Sequence, residues 1–412
     1  MKVLFVTSSW TQTLGHIVRS IAVAEELIAA GHQTAFLVSK AYKEWIPEQC
    51  EFYEAVPKPD NAEPYYRFDQ YFYTYEDVLY VSGHVQEQHL IETIERERHV
   101  IYAFCPDIIF NDEQFTIAIS AALEKVPLVS VVTWPLHPKF NRHMEKELPQ
   151  RNLSLRKLRN TWNRILKRYN MEQIGHLCEL LFHRSCALVA PTRSMLEPEL
   201  GQEVPEVHFV GRLAPKSMFR DDPLWLKSWG IQEGFSHFPT VYVYLSSLPI
   251  GVNKKESFEL LYRMFEKIQC KVVFGLGKFN DLFDTLPSNS SDGRIRFERF
   301  VPGETIMSRA KLAVFPGTHS MSVAAVEYGV PCLILPDLFE RRYNAECLSR
   351  IGLGEILEEN QADKGEIHRL VELLLNRKKT EKIQCIQNDF QSINGSLEVV
   401  QLLYKSKKPG EG

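Results

Sequence analysis

The chain has 412 residues, enough for two domains that each bury a core of their own. A hydrophobic content of 44% and a charged content of 24% fit a soluble globular chain rather than a disordered or membrane-spanning one. A net charge of −4, without a long block of like charge, argues against nucleic acid as a partner.

The first apolar run, 3–6, predicts a buried strand leading straight into Thr7-Ser8-Ser9. No signal peptide is expected there, and no stretch reaches the roughly 18 consecutive apolar residues of a membrane span. A helix is predicted over 18–30, ending at Gly31, and a second strand over 33–38. Apolar runs at 107–110 and 128–132 flank a helical stretch at 116–123, and strands at 187–190 and 208–210 complete this half. The alternation of strand and helix predicts a parallel sheet with helices on both faces.

The polar, Pro-containing passage 215–235 reads as a linker between a first domain, 1–214, and a second, 236–395. The second half begins with a strong strand at 240–245 and continues through strands at 271–274, 295–297 and 312–315. Helical patterns follow at 323–328, 367–375, 383–390 and 397–404, and the tail 405–412 is expected to be disordered. The eight cysteines are scattered without metal or redox spacing, as for reduced core residues in a cytoplasmic protein.

Three features carry candidate chemistry. Leu312 to Phe315 ends in Pro316-Gly317-Thr318-His319-Ser320 before a helical pattern, a strand, a turn and a helix start. Such a turn aims backbone N–H groups and the positive end of a helix dipole at one point, which suits a diphosphate; an ordinary α/β connection has the same outline. Gly15-His16 lies between the first strand and its helix, where an imidazole with a pKa near 6.5 can serve as a base, or can merely cap a helix or face solvent. The segment 151–169 carries seven Arg and Lys and no acidic residue, beside Leu155, Leu158, Trp162, Ile165 and Tyr169 at helical spacing. It reads as a charged surface helix lining an acceptor cleft, or as a basic amphipathic helix on an anionic membrane.

The stretch 300–344 resembles the donor-binding region of the UDP-glycosyltransferase superfamily, the GT-B-type enzymes of macrolide, natural-product and plant metabolism. Phe300-Val301-Pro302, Arg309-Ala310, Gly317, Gly329-Val330-Pro331, Pro336, Glu340-Arg341 and Asn344 follow the family's pattern without a gap. The resemblance implies a GT-B fold, two doubly wound Rossmann-like α/β domains facing each other across a cleft, with a last helix (396–408) returning to the first domain. It implies catalytic roles for His16 and for Asp112, which follows the family's Pro-Asp strand as Pro106-Asp107-Ile108-Ile109-Phe110-Asn111-Asp112. Asp112 can instead be the N-cap of the following helix. Asp107, at the strand's start, is the weaker partner.

On the donor side the resemblance implies Ser247, Phe300, Gly317, Thr318, His319, Ser320, Glu340 and Arg341. Ser247 supplies a hydroxyl to a phosphate oxygen or caps a turn, and Phe300 stacks on the nucleotide base or belongs to a core. The chain departs from the pattern at Pro316, where the family's pyrophosphate-binding His stands, at Ala324 for a ribose-binding Glu, at Gly303 for a Gln, and at Glu340-Arg341 for an Asp-Gln pair. Pro316 removes an imidazole and a backbone N–H together, and His319 or Arg341 is the expected replacement.

The implied activity is inverting, metal-independent transfer of a sugar from a UDP- or dTDP-type nucleotide sugar, a co-substrate, to a hydroxyl of a small-molecule or lipid acceptor. No resident cofactor and no metal are expected. The acceptor pocket is expected from the loops 57–88 and 136–153, with a cytoplasmic location and peripheral membrane contact through 151–169. The alternatives are a GT-B-fold protein that binds a nucleotide sugar without transferring it, and a nucleotide-sugar epimerase or hydrolase.

Overall fold

The computed structural model describes residues 1–8, 14–59, 72–147, 152–217, 238–245, 254–277, 289–290, 292–299, 301–358 and 364–407. They form two compact units: Met1–Pro215 with Ile393–Gly412, and Lys216–Ser392. Ser247 and Phe300, residues 60–71 of the 57–88 loop, and the predicted linker beyond Ser217 lie outside the described residues.

The first unit is built on seven strands: β1 (Lys2–Thr7), β2 (Gln33–Val38), β3 (Glu51–Glu54), β4 (Ile108–Asp112), β5 (Leu128–Val131), β6 (Ala187–Ala190) and β7 (Val207–Phe209). Their order is β3-β2-β1-β4-β5-β6-β7, and every pairing is parallel. The helices between them are α1 (Leu14–Ala29), α2 (Tyr75–Val81), α3 (Glu87–Phe104), α4 (Ile117–Glu124), α5 (Pro138–Glu147), α6 (Asn152–Arg168), α7 (Glu179–Arg184) and α8 (Pro198–Glu203). Because parallel strands are covered on both faces, β1 and β4 read as nearly continuous apolar runs, and Val3, Leu4, Phe5, Ile108, Ile109 and Phe110 are fully buried.

The second unit has β8 (Thr240–Tyr244), β9 (Lys271–Gly275), β10 (Ile295–Glu298), β11 (Leu312–Phe315), β12 (Cys332–Ile334) and β13 (Gly354–Ile356), in the order β10-β9-β8-β11-β12-β13, again all parallel. Its helices are α9 (Lys254–Phe265), α10 (Gly303–Met307), α11 (His319–Tyr328), α12 (Phe339–Arg350), α13 (Lys364–Leu375) and α14 (Glu381–Gln391). Phe258, Phe265 and Phe274 anchor its core. Each sheet therefore reverses its winding once, between β1 and β4 and between β8 and β11. Open α/β sheets bind ligands outside the carboxyl ends of strands at such a reversal.

A last helix, α15 (Gly395–Ser406), belongs to the first unit and packs on α1. Asn394 Nδ2 donates to Glu26 at 3.3 Å, and the Lys407 ammonium lies 3.0 Å from Asp107. Asp107 also accepts from the Lys2 amide at 2.7 Å, which fixes it at the amino edge of the sheet, at the other end of the strands from Asp112. A Cβ at Gly395 would sit 2.5 Å from the Arg212 carbonyl oxygen, so only glycine lets the helix start this close to that backbone.

The basic segment forms α6, and its apolar stripe is covered. Leu158, Trp162, Ile165 and Leu166 are fully buried against α2 and α3, and the Trp162 indole donates to the His84 carbonyl at 3.0 Å. Arg159 reaches inward to the buried Glu76 carboxylate, its Nε at 2.9 Å. What α6 leaves exposed is charge: Arg156, Lys157, Lys167 and Arg168. No helix among the described residues is long and apolar enough to cross a membrane.

One buried acid ties α3 to the turn that follows β4. Glu97, 2% exposed, accepts from Gln114 Nε2 at 3.1 Å and from the hydroxyls of Thr116 and Ser120. Burial raises its pKa from 4.5 to about 7 against the pull of those three donors. The folded state thus holds a proton that the unfolded chain releases, so stability is lost as pH rises from the ordinary carboxyl range through about 7. Glu97→Gln is expected to recover, above pH ~7.5 and relative to about pH 4.5, on the order of 3 kcal/mol that the wild type loses. Chemical unfolding of both proteins at the two pH values measures it; equal pH dependence would contradict the assignment.

Candidate active site

Helix α1 begins at Leu14, one turn before the predicted Val18, so His16 stands inside its first turn rather than in the preceding connection. At the winding reversal β1 and β4 are in register, with Thr7 opposite Asp112, and the Ser8 amide donates to the Asp112 carbonyl at 3.0 Å. Asp112 is the last residue of β4. The helix after it starts only at Ile117 behind Thr116, which removes the N-cap reading of Asp112.

The two predicted side chains meet. His16 Nδ1 lies 2.9 Å from Asp112 Oδ1, with the carboxylate fully buried. A third residue, absent from the sequence expectations, completes the arrangement: Arg19 Nε and Nη2 each donate to Asp112 at 2.7 Å, and Nη2 lies 3.0 Å from His16 Nδ1. Nδ1 therefore has one acceptor and one donor beside it. With the proton on Nδ1 it donates to Asp112, and Nε2 keeps its lone pair. A fourth group faces that nitrogen: Glu113 Oε2 is 3.5 Å from Nε2, while Glu113 Oε1 accepts from the Tyr75 hydroxyl at 3.1 Å.

Charges decide what each group can do. Burial would raise the Asp112 pKa, but Arg19 and His16 outweigh it and hold the carboxyl well below the usual range. Burial pulls His16 down, yet Glu113 and then Asp112 push harder, and its pKa ends above 6.5 despite Arg19. His16, Asp112 and Glu113 also offer ligand atoms within 4.8 Å of one another, the outline of a metal site. The Arg19 guanidinium lies on both oxygens of Asp112 at 2.7 Å, however, and a cation there would face a fixed positive charge. Arg19 carried a readable signal: it is a lone cation at i+3 from His16 on a helix whose neighbours Ile17, Ile21, Ala22 and Val23 are buried, and such a cation needs a counter-ion.

At the reversal of the second sheet, β11 ends in Phe315 and the chain turns through Pro316 and Gly317 into α11, which starts at His319, a turn earlier than predicted. Gly317 has φ +89°, and a Cβ there would lie 2.4 Å from the Arg341 carbonyl oxygen. Asn344 Nδ2 donates to the Gly317 carbonyl at 2.9 Å, so the turn is pinned from α12. Thr318 makes no side-chain capping bond at the start of α11. His319 is buried in that first turn and Ser320 is exposed beside it. Glu340 and Arg341 lie in the first turn of α12. The Arg341 guanidinium, 3% exposed, donates to both oxygens of Asp337 at 2.6 Å. Its side chain is thus held by a carboxylate, and what closes on Gly317 is its backbone.

No family model matches the chain. NDP-glycosyltransferase YjiC of Bacillus subtilis (strain 168) is 20% identical over 161 residues, 37% of this chain and 40% of that protein. A cyanidin-3-O-glucoside 2-O-glucuronosyltransferase of Bellis perennis is 25% identical over 197 residues, 47% of this chain and 43% of the relative. The chain thus spans about two fifths of the length of these curated relatives. The solved glycotransferase of kitacinnamycin superposes with a TM-score of 0.78 at 15% identity, covering 99% of both chains. Spinosyn rhamnosyltransferase SpnG, complexed with thymidine diphosphate, gives 0.68 at 13% identity over 98% of this chain and 100% of that one. The fold is therefore GT-B, two α/β units each wound about one parallel sheet. By fold the chain is similar to the solved natural-product glycosyltransferases, among them the calicheamicin glycosyltransferase CalG4 at a TM-score of 0.74 and 18% identity, over 100% of this chain and 99% of that one.

The Gly317 turn yields a direct test. Gly352 has φ +83° with nothing near its missing Cβ, whereas Gly317 has both a positive φ and backbone in the way. Gly352→Ala is expected to cost about 1 kcal/mol, and Gly317→Ala at least about 2 kcal/mol more. Thermal unfolding of the two variants measures the difference. Equal losses would mean that the close approach of α12 is not what requires glycine.

Proposed function

We propose that this chain is an inverting glycosyltransferase that moves a sugar from a nucleoside diphosphate sugar to a hydroxyl of a small-molecule acceptor. The observation that carries the reading is the His16–Asp112 pair at the winding reversal of the first sheet, 2.9 Å apart and anchored by Arg19. His16 Nε2 takes the proton of the acceptor hydroxyl, the oxygen attacks the anomeric carbon, and the bond from that carbon to the diphosphate breaks. Attack from the face opposite the leaving group inverts the anomeric centre. Asp112 fixes the ring and its tautomer through Nδ1.

The diphosphate belongs at the start of α11, where backbone N–H groups and the helix dipole favour an anion. This electrostatic device makes a resident metal unnecessary, and Arg19 on Asp112 supports the same conclusion. The relatives' names point to nucleoside diphosphate donors and natural-product acceptors. Pro316 in the donor turn and the Arg341–Asp337 pair favour a second reading, a GT-B-fold protein that binds a nucleotide sugar without transferring it. An epimerase or hydrolase differs from both by acting on the nucleotide sugar without an acceptor.

A panel of UDP- and dTDP-sugars with hydroxylated acceptors, read by product mass, separates these readings. Transfer is expected to need both substrates and to be unchanged by EDTA. His16→Ala is expected to lower it by roughly 100- to 10,000-fold, with nucleotide binding retained. Turnover above about a third of wild type in that variant would remove His16 from the mechanism. Binding of nucleotide diphosphate without any turnover would favour the binding protein.

Membrane contact, on this reading, is electrostatic and made by the exposed cations of α6, since its apolar stripe is buried. Vesicles with anionic lipid are expected to retain the protein and ~0.5 M salt to release it. Equal partitioning to neutral and anionic vesicles would refute it.

A further inference from the structure

Arg19 is a buried cation that keeps its charge. Burial opposes that charge, but Asp112, with Glu113 and Tyr75 behind it, raises the Arg19 pKa above the ordinary arginine value. Its contacts go further than holding Asp112 requires. Nε donates to Oδ2 and Nη2 to Oδ1, each at 2.7 Å, which already satisfies both oxygens of the carboxylate. The third contact places Nη2 3.0 Å from His16 Nδ1. Nη2, Oδ1 and Nδ1 thus form a triangle with sides of 2.7, 2.9 and 3.0 Å, and the fixed positive charge lies against the imidazole itself.

The two other corners of this triangle act on the ring in opposite senses. Asp112 favours the imidazolium both by its charge and by the 2.9 Å hydrogen bond at Nδ1. Arg19 presents an N–H to the same nitrogen, so a proton on Nδ1 faces a second donor, and an imidazolium faces a second cation. The charged and titratable groups around the imidazole, among the described residues, are Arg19 on α1, Asp112 on β4, Glu113 in the turn after it, and Tyr75 on α2 behind Glu113. Both carboxylates favour protonation of His16, and Arg19 is the charge that opposes it. An imidazole held between two carboxylates with no such cation would keep its proton through the neutral range, and Nε2 would have no lone pair to offer.

We propose that Arg19 is a positioning residue for the base: it keeps Asp112 charged, so that the ring stays oriented, and by its own charge beside Nδ1 it keeps Nε2 of His16 free to take a proton. The inference deepens the transferase reading and rests on it for its kinetic consequence only. The proton passes from the acceptor oxygen to Nε2 as that oxygen bonds to the anomeric carbon. The imidazolium then returns it to water, and repulsion from Arg19 favours this last step.

NMR titration of the His16 imidazole in the full chain, assigned by loss of its signal in His16→Ala, tests this without any substrate. Arg19→Met keeps the length of the side chain without its charge and is expected to raise the His16 midpoint by about one pH unit. General loosening of the site has the opposite sign, because the His16 pKa lies above 6.5 in the folded chain and would fall back toward it. Arg19→Lys keeps a cation and is expected to hold the midpoint near that of the wild type. Because Arg19→Met strands a buried carboxylate, Asp112→Asn and the double variant Arg19→Met/Asp112→Asn are titrated beside it, and the double variant is expected to have the higher midpoint of the two. In kcat/KM for any acceptor the wild type uses, the acid limb should move to higher pH in Arg19→Met and return in Arg19→Lys. A midpoint that loss of Arg19 raises in neither background overturns the inference. Raised midpoints in a protein that transfers no sugar uphold it and remove the transferase reading instead.

Discussion

The structure around the first winding reversal depends on one buried carboxylate. Asp112 is fully removed from solvent at the end of a central strand, where an isolated charge would cost several kcal/mol. It persists because Arg19 brings a rigid two-pronged donor to both oxygens and His16 brings a third. Both partners come from one helix, three residues apart, so the position of α1 against β4 is set by a charge that must be matched as well as by apolar packing. The imidazole's orientation follows from this constraint. It is held at Nδ1 by a group whose own position is over-determined.

The winding reversal of the second unit solves a different problem with backbone instead of charge. Gly317 lets the α12 backbone approach within a distance no side chain would permit, and Asn344 holds the resulting turn. The amides at the start of α11 are thereby aimed without a side-chain cap. Pro316, which removes one donor, still suits this geometry, because a residue leaving a strand into a tight turn need not contribute an N–H. Arg341, expected from its charge to reach a phosphate, is instead matched by Asp337 four residues earlier. A cation next to a nearby acid forms the local pair unless something stronger competes.

Much of this was legible in the sequence, and the rest was hidden for identifiable reasons. The GT-B fold followed from long apolar runs such as 3–6 and 240–245 and from the ungapped pattern at 300–344, which fixes register even where individual residues differ. His16 and Asp112 were legible because a Gly-His after a first strand and an acid at a strand's end both point over the same sheet edge. The helix starts were read a turn late at Leu14 and His319 because apolar periodicity becomes visible only after the first turn. β12 and β13, three residues each, are too short to show a period. Arg19 could be read only as a lone cation on an apolar helix, without its partner, and Glu113 escaped because a charged residue on the sequence looks solvent-facing until the tertiary fold shows what it meets. The same holds for Glu76 and Arg159, one of which is fully buried.

The first unit is discontinuous along the chain: its sheet is complete by Phe209, yet α15, which lies on the helix carrying His16, is contributed by residues after the whole second unit. During synthesis the seven strands emerge first, and α1 then waits, with an apolar face uncovered, for roughly 180 more residues to be made, on the order of ten to forty seconds at ordinary elongation rates. The second unit can fold as a contiguous segment in that interval. The site around His16 is therefore the last part of the molecule to acquire its full support, so a ribosome that stalls in the second unit would release a chain in which the helix carrying His16 is present but unsupported.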